Sequence, residues 1–301
     1  TLDEAADLLG VDSDVLKTDP AQNIRGGAAL LAKYAKQTVG KTPDQPADWY
    51  GAVAKYSGSK DESVAKDFAD RVYQTIRQGA DLTVEGGQHV VLSSEQVSPN
   101  KHTVQSLHLK QNNNTNVDCP EGLNCEYIPA AYKQFSDSPG DYGNYDLANR
   151  PKNGLDIRYI IIHDTEGSYT SAINTFQGQS YTSAHFVIRS ADGKIAEMVK
   201  PENVAWQAGN WYVNMHSIGI EHEGYAVEGA TWFSEPMYHS SAKLVKYLAN
   251  RYHIPLDREH IIGHDHVPGL SPTAQGNMHW DPATFWDWGH FFDILGAKES
   301  K

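Results

Sequence analysis

Three short segments in the second half of the chain constrain its fold most: RYIIIHDTEG, SIGIEHEG and IIGHDHVPG followed by NMHWDP. Each begins as an apolar, β-branched run and ends abruptly in ionisable residues. Such runs form buried strands, and a charged group at the end of one is costly unless it is paired or functional. His163 closes the first, Glu221 the second, and His264 and His266 follow the third, with Asp281 beyond a Gly/Pro/Ser-containing loop. Two imidazoles and a carboxylate can hold zinc and leave a position open for water, as catalytic rather than structural zinc sites do. Glu221 is then a spare carboxylate able to move protons, and the pattern points to a zinc hydrolase.

Alternation along a strand sorts these side chains. In IIIHD, Ile161 and His163 share one face, Ile160 and Ile162 the other. In SIGIEHEG, Gly219, Glu221 and Glu223 lie opposite Ile218, Ile220 and His222, and Gly219 leaves room on the Glu221 face for a ligand. Most of the fourteen histidines lie after Ile160. His185, His216, His239, His253 and His290 read as ordinary structural residues, and His222 faces the core or an adjoining helix. Spacing alone does not separate His264 from His266.

The 301 residues exceed one typical domain and read most easily as two. Residues 1–80 are helical: Asp19-Pro20 is a cap followed by Pro in the first turn, and Val64, Phe68, Val72, Tyr73 and Ile76 form an apolar stripe. Residues 81–153 are rich in Ser, Asn, Gln, Pro and Gly, include the polar run 111–116, and read as a linker wrapping the second domain. From 154 onward, strands and helices alternate, giving an α/β domain with a central sheet. HFVIRSADGKIAEMV is a hairpin turning at Ala191-Asp192-Gly193, and Glu235 to Tyr252 is an amphipathic helix.

A formal charge of −13 argues against nucleic acid and anionic membranes as partners, and no apolar run is long enough to insert in a bilayer. The two cysteines, Cys119 and Cys125, sit close together in a polar loop, the spacing of a disulfide formed in an oxidising compartment. The chain starts at Thr1 with no charged-then-apolar leader, so an export signal is expected to have been removed or to lie outside it. A secreted or cell-wall-associated protein is the expectation.

Five ordered elements carry a family resemblance: IIIHDTEG, SAHFVIRSADGKI, AWQAG, SIGIE and GHDHVPG…HWDPATFWDW. Over about 155–293 the chain resembles the type 2 N-acetylmuramoyl-L-alanine amidases, zinc enzymes related to the peptidoglycan recognition proteins. The resemblance implies a mixed sheet flanked by helices. It implies one zinc ion held by His163, His264 (not His266) and Asp281, with Glu221 as the acid/base. Its substrate is peptidoglycan or muropeptides, cut between N-acetylmuramic acid and L-alanine of the stem peptide. Three departures stand out. Gln207 replaces a usual His in AWQAG, His279 stands where many members have Lys, and Asp281-Pro282-Ala283 reads DPA where DPG is common, a change not expected to affect ligation. His279, if protonated, would stabilise the oxyanion, but unlike Lys it titrates near neutrality; otherwise it only hydrogen-bonds product or water. Trp206, Asn210 and Trp211 are candidate contacts to glycan or stem peptide, or else pack beneath a loop.

The first 80 residues resemble, through KTDPAQNIRGGAALLAKYA and DWYGAVAKYSG, the C-terminal part of lysozyme-like lytic transglycosylases. That family's catalytic glutamate lies upstream of this region and Glu4 lacks its context, so a non-catalytic helical domain that packs on the amidase or binds wall glycan is expected. The alternatives are a non-catalytic peptidoglycan-binding module, which would lack a metal ligand, and a zinc amidase acting on a non-wall amide.

Overall fold

The computed structural model describes all residues except 84–86, 88, 112–115, 270, 273–279 and 299–301. The chain divides into two compact units, Thr1–Asn112 and Asn113–Lys301.

The first unit contains helices α1 (Leu2–Leu9), α2 (Ser13–Thr18), α3 (Pro20–Val39), α4 (Tyr50–Tyr56) and α5 (Glu62–Gln78). Asp19 starts α3 as expected: its carboxylate accepts the N–H groups of Ala21 and Gln22, which have no partner within the helix. Val64, Ala65, Ala69 and Tyr73 form the buried stripe of α5. A hairpin, β1 (Ala80–Thr83) with β2 (His89–Leu92), and a 3-10 helix, Lys101–Leu107, complete this unit. The 3-10 helix docks on α4, where Gly51 N donates to Thr103 Oγ1 at 2.7 Å. A Cβ on Gly51 would lie 2.5 Å from the Thr103 carbonyl oxygen, so only glycine permits this approach.

The expected linker over 81–153 is therefore not a separate segment. Its first part belongs to the helical unit and its second to the sheet unit. Composition misled here because these stretches have few apolar residues and are held by backbone pairing and buried polar anchors. In the second part, β3 (Cys125–Tyr127), which follows the Cys119–Cys125 disulfide, adds an edge strand to the main sheet, and β4 (Tyr145–Asp146) pairs with β8 (Val204–Ala205). Asn144, fully buried, donates to the carbonyls of Phe176 and Gly178.

Among the described residues the main sheet has six strands. They are β3, β5 (Tyr159–Asp164), β6 (Phe186–Ile188), β7 (Ile195–Glu197), β9 (Ser217–His222) and β10 (Ile261–Gly263), in the order β10-β5-β9-β6-β7-β3. All neighbouring pairs are parallel except the hairpin β6–β7. That hairpin turns at Gly193 (φ 70°), where a Cβ would strike Ser240 Oγ at 2.2 Å. Among the described residues, the α-helices of this unit are α6 (Tyr169–Gln177), α7 (Trp211–His216), α8 (Gly229–Trp232), α9 (Glu235–Tyr252) and α10 (Trp288–Leu295).

Alternation decides what each face of the sheet meets. Ile160, Ile162, Ile218 and Ile220 pack in one core with Met237, Leu244, Val245 and Leu248 of α9 and Phe291, Phe292 and Leu295 of α10. Ile161 faces the other way, onto Ala208, Val213 and Val267. Each buried side chain of this size contributes about 1.5–3 kcal/mol, so a one-residue slip of β5 or β9 would expose several and is strongly disfavoured. Register, and with it the position of the strand ends, is thus set by the core. Among the described residues no helix is long and apolar enough to cross a membrane.

Candidate active site and metal centre

Parallel pairing brings the ends of β10, β5 and β9 to one edge of the sheet. His163 is the register partner of Glu221, and Gly263 pairs with Ile162, so the chain leaves β10 at His264 beside His163. Open parallel sheets present their ligand sites at this carboxyl edge. Asp281 arrives from the distant loop and is tied down by its backbone, where Asp265 N donates to the Asp281 carbonyl at 2.8 Å.

The carboxylate of Asp281 lies between the two imidazoles. His163 Nδ1 is 3.1 Å from Oδ2 and His264 Nδ1 is 2.8 Å from Oδ1. Potential ligand atoms of these three buried residues all lie within 4.8 Å of one another. Burial alone would raise the Asp281 carboxyl, but hydrogen bonds to His163 and His264 outweigh it and hold the carboxyl far below its ordinary range. Burial, then the neighbouring His163, push His264 down, which favours the neutral ring that a metal needs. Two imidazole nitrogens and one carboxylate, converging and largely shielded from water, fit a divalent metal of the zinc type.

His264 and His266 are now distinguished. His264 is buried at the site, whereas His266 is exposed and turns to Asp265, with Nδ1 2.8 Å from Oδ1. Glu221 is partly accessible, and its Oε2 meets no hydrogen-bonding group among the described residues. Desolvation, then the Asp281 charge, push its carboxyl well above the ordinary range, a direction that suits a proton carrier near neutrality. Glu223 is not available for that work, because its two oxygens accept the N–H groups of Tyr169 and Ser190.

One further expectation is overturned. The space on the Glu221 face beside Gly219 does not await a ligand, because the side chain of Gln207 fills it. A Cβ on Gly219 would lie 2.7 Å from Gln207 Cγ. Asn210 caps α7, accepting from Val213 N, and donates to the Pro268 carbonyl, so its amide is occupied in fixing the loop. Trp206 donates its indole N–H to Asp146 at 2.5 Å, while Trp211 is exposed. His279 lies outside the described residues. His222 turns to α9, with Nε2 2.8 Å from Ser241 Oγ, as alternation predicts.

Asp164 escaped the sequence reading. Its backbone N–H donates to Asp281 Oδ2 at 3.2 Å. Burial and the Asp281 charge push its carboxyl up to about 9. Arg150 was likewise missed. It is almost fully buried, has no carboxylate partner among the described residues, and donates to the carbonyls of Asn214, Met215, Ser217, Pro201 and Asn203. It ties the turn carrying Pro201 and Asn203 to the end of α7 and the start of β9, and no motif or periodicity marks it.

Residues 153–284 match the family model described as N-acetylmuramoyl-L-alanine amidase. The chain is 30% identical over 177 residues to N-acetylmuramoyl-L-alanine amidase A of Achromobacter lyticus, a match covering 53% of this chain and 92% of that protein. Among solved structures, the PlyG catalytic domain aligns at 19% identity with a TM-score of 0.41, covering 60% of this chain and 99% of the other. The endolysin N-acetylmuramoyl-L-alanine amidase LysCS from Clostridium intestinale aligns at 18% identity with a TM-score of 0.40, covering 58% and 96%.

Proposed function

The chain belongs to the N-acetylmuramoyl-L-alanine amidase family, and from this premise we propose that it is a zinc-dependent peptidoglycan hydrolase. The bond it cuts is the amide joining the lactyl group of N-acetylmuramic acid to L-alanine of the stem peptide. The observation that carries this reading is the meeting of His163, His264 and Asp281 beside Glu221, a carboxylate with an unengaged oxygen.

Zinc, when bound by His163, His264 and Asp281, supplies a Lewis acid that polarises a carbonyl and acidifies water. Glu221 takes the proton of the attacking water and passes it to the leaving amine nitrogen. Its raised affinity for protons suits both transfers. The Asp164 N–H donates to Asp281 Oδ2 and helps to hold that carboxylate in place. His279 serves as a further donor to the oxyanion, and exposed Trp211 as a contact for glycan or peptide. The disulfide and the wall substrate are consistent with action outside the cytoplasm.

The helical unit is non-catalytic in this reading. Glu4, a candidate acid by residue type, is engaged by Lys33 and Tyr34, which hold its carboxyl below the ordinary range, opposite to what a general acid needs. Mass analysis of digested peptidoglycan tests the whole proposal. Free stem peptides with L-Ala at the N-terminus are expected. Their absence, with the glycan or another amide cut instead, would overturn the assigned bond. Anhydro-muropeptides released by a Glu221→Gln chain would overturn the non-catalytic helical unit.

A further inference from the structure

Gln207 touches His163 on the side away from Asp281, and its surroundings dictate which atom it presents. Ser217 Oγ lies 2.6 Å from the Val213 carbonyl, which can only accept, so the single hydroxyl proton points there. Ser217 Oγ must then accept its other contact, from Gln207 at 2.7 Å, and the Gln207 atom facing it is the NH2 group. The remaining amide atom, Oε1, faces His163 Nε2 and can only accept. His163 Nε2 therefore carries a proton, which leaves Nδ1, the nitrogen hydrogen-bonded to Asp281 Oδ2 at 3.1 Å, as the one free to exchange that contact for a metal.

We infer that Gln207, oriented by Ser217, is a positioning residue that holds His163 in the one tautomer able to ligate a metal through Nδ1. The inference rests on the metal-site reading above and extends it to a buried residue beside the ligand set.

Three further observations show that the position is built. Gln207 is buried, and its backbone N–H and that of Ala208 are both held by Asn214 Oδ1. Gly219 makes the room: a Cβ there would lie 2.8 Å from Gln207 Cδ and 2.9 Å from Oε1. The competing arrangement, with the amide flipped, puts an N–H against His163 Nε2. It would force the ring proton onto Nδ1 and take the Ser217 proton away from the Val213 carbonyl. Groups that orient a metal-binding imidazole in this way typically change metal affinity by about 10–100-fold when removed.

The test uses the full chain and Gln207→Met, Gln207→Glu and Ser217→Ala variants. The ring proton of His163 is followed by 1H–15N spectra in metal-free and zinc-loaded protein, and the zinc dissociation constant is measured by chelator competition. The unaltered chain and Gln207→Glu, which keeps an acceptor, should show a His163 Nε2 proton protected from exchange and comparable zinc affinity. Gln207→Met keeps the volume without an acceptor; it should lose that protection and weaken zinc binding about 10–100-fold. Ser217→Ala should move both readouts the same way by less. Unchanged protection and affinity in Gln207→Met would overturn the inference. If that variant does not fold, unchanged values in Ser217→Ala would do so. A His264→Ala chain that still binds zinc as tightly would count against the metal site itself, and the ring proton of metal-free protein would still decide the role of Gln207.

Discussion

His163 and Glu221 are register partners on the adjacent parallel strands β5 and β9. One group belongs to a buried His–His–Asp cluster that could hold a metal, and the other is a carboxylate with an oxygen that meets no partner among the described residues. The core that fixes this register lies on the opposite face of the sheet, so the distance between the two groups is set by isoleucines that never touch the site.

Glu221→Gln should keep the fold and bound zinc while losing about 10²–10⁴-fold in turnover, because the amide cannot take a proton. Glu223 cannot substitute, being held by two backbone N–H groups. Turnover of soluble muropeptide alongside zinc content measures this. Near-normal turnover would remove Glu221 from the mechanism.

His264→Ala should abolish stoichiometric zinc binding, whereas His266→Ala should leave it intact, since His266 is exposed and directed at Asp265. Metal analysis of the two purified variants decides. The reverse result would transfer the ligand role to His266.

His185 offers a pH test. It is fully buried and neutral, with Nδ1 accepting from Gly219 N at 3.0 Å and Nε2 donating to the Asn203 carbonyl. Burial, with the Arg150 cation adding, lowers its pKa to about 3. As pH falls below the ordinary histidine value of about 6.5, the unfolded chain takes up this proton first. The stability His185 contributes is thus fully present above that pH and drains away between it and about 3. The cost of His185→Asn, measured by urea unfolding, should therefore shrink below pH 6 by about 1.4 kcal/mol per pH unit. A cost that stays constant down to the acid limit of the fold would mean that folded His185 is already charged.

Arg150→Met should destabilise the sheet unit by more than about 3 kcal/mol, since buried carbonyls left without a donor cost about 1–3 kcal/mol each. Five carbonyls share this one guanidinium. Chemical denaturation of the variant and the parent chain provides the comparison. A loss below 1 kcal/mol would show that water or backbone adjustment satisfies those carbonyls.

The sequence by itself determined the strands, their faces and the chemical types at their ends. Ile160, Ile162, Ile218 and Ile220 alternate with His163, Gly219 and Glu221, and that pattern puts the isoleucines on one face and His163 and Glu221 on the other. The bounds of α9 were legible for the same reason, since Ser234 caps it and its apolar positions recur at helical spacing. The ligand pairing of His264 over His266 came from resemblance, because local spacing carries no information about which imidazole turns inward. The tertiary structure alone decided the rest. Gln207, Asp164 and Arg150 act through partners far along the chain: Gln207 on His163 44 residues away, Asp164 on Asp281 117 away, and Arg150 on Ser217 67 away. Segment 81–153 was misread as a linker because periodicity records only what a segment does with apolar side chains. Backbone pairing such as β3 with β7, and buried polar anchors such as Asn144, leave no periodic trace, since their energy comes from groups that meet only after the chain has folded.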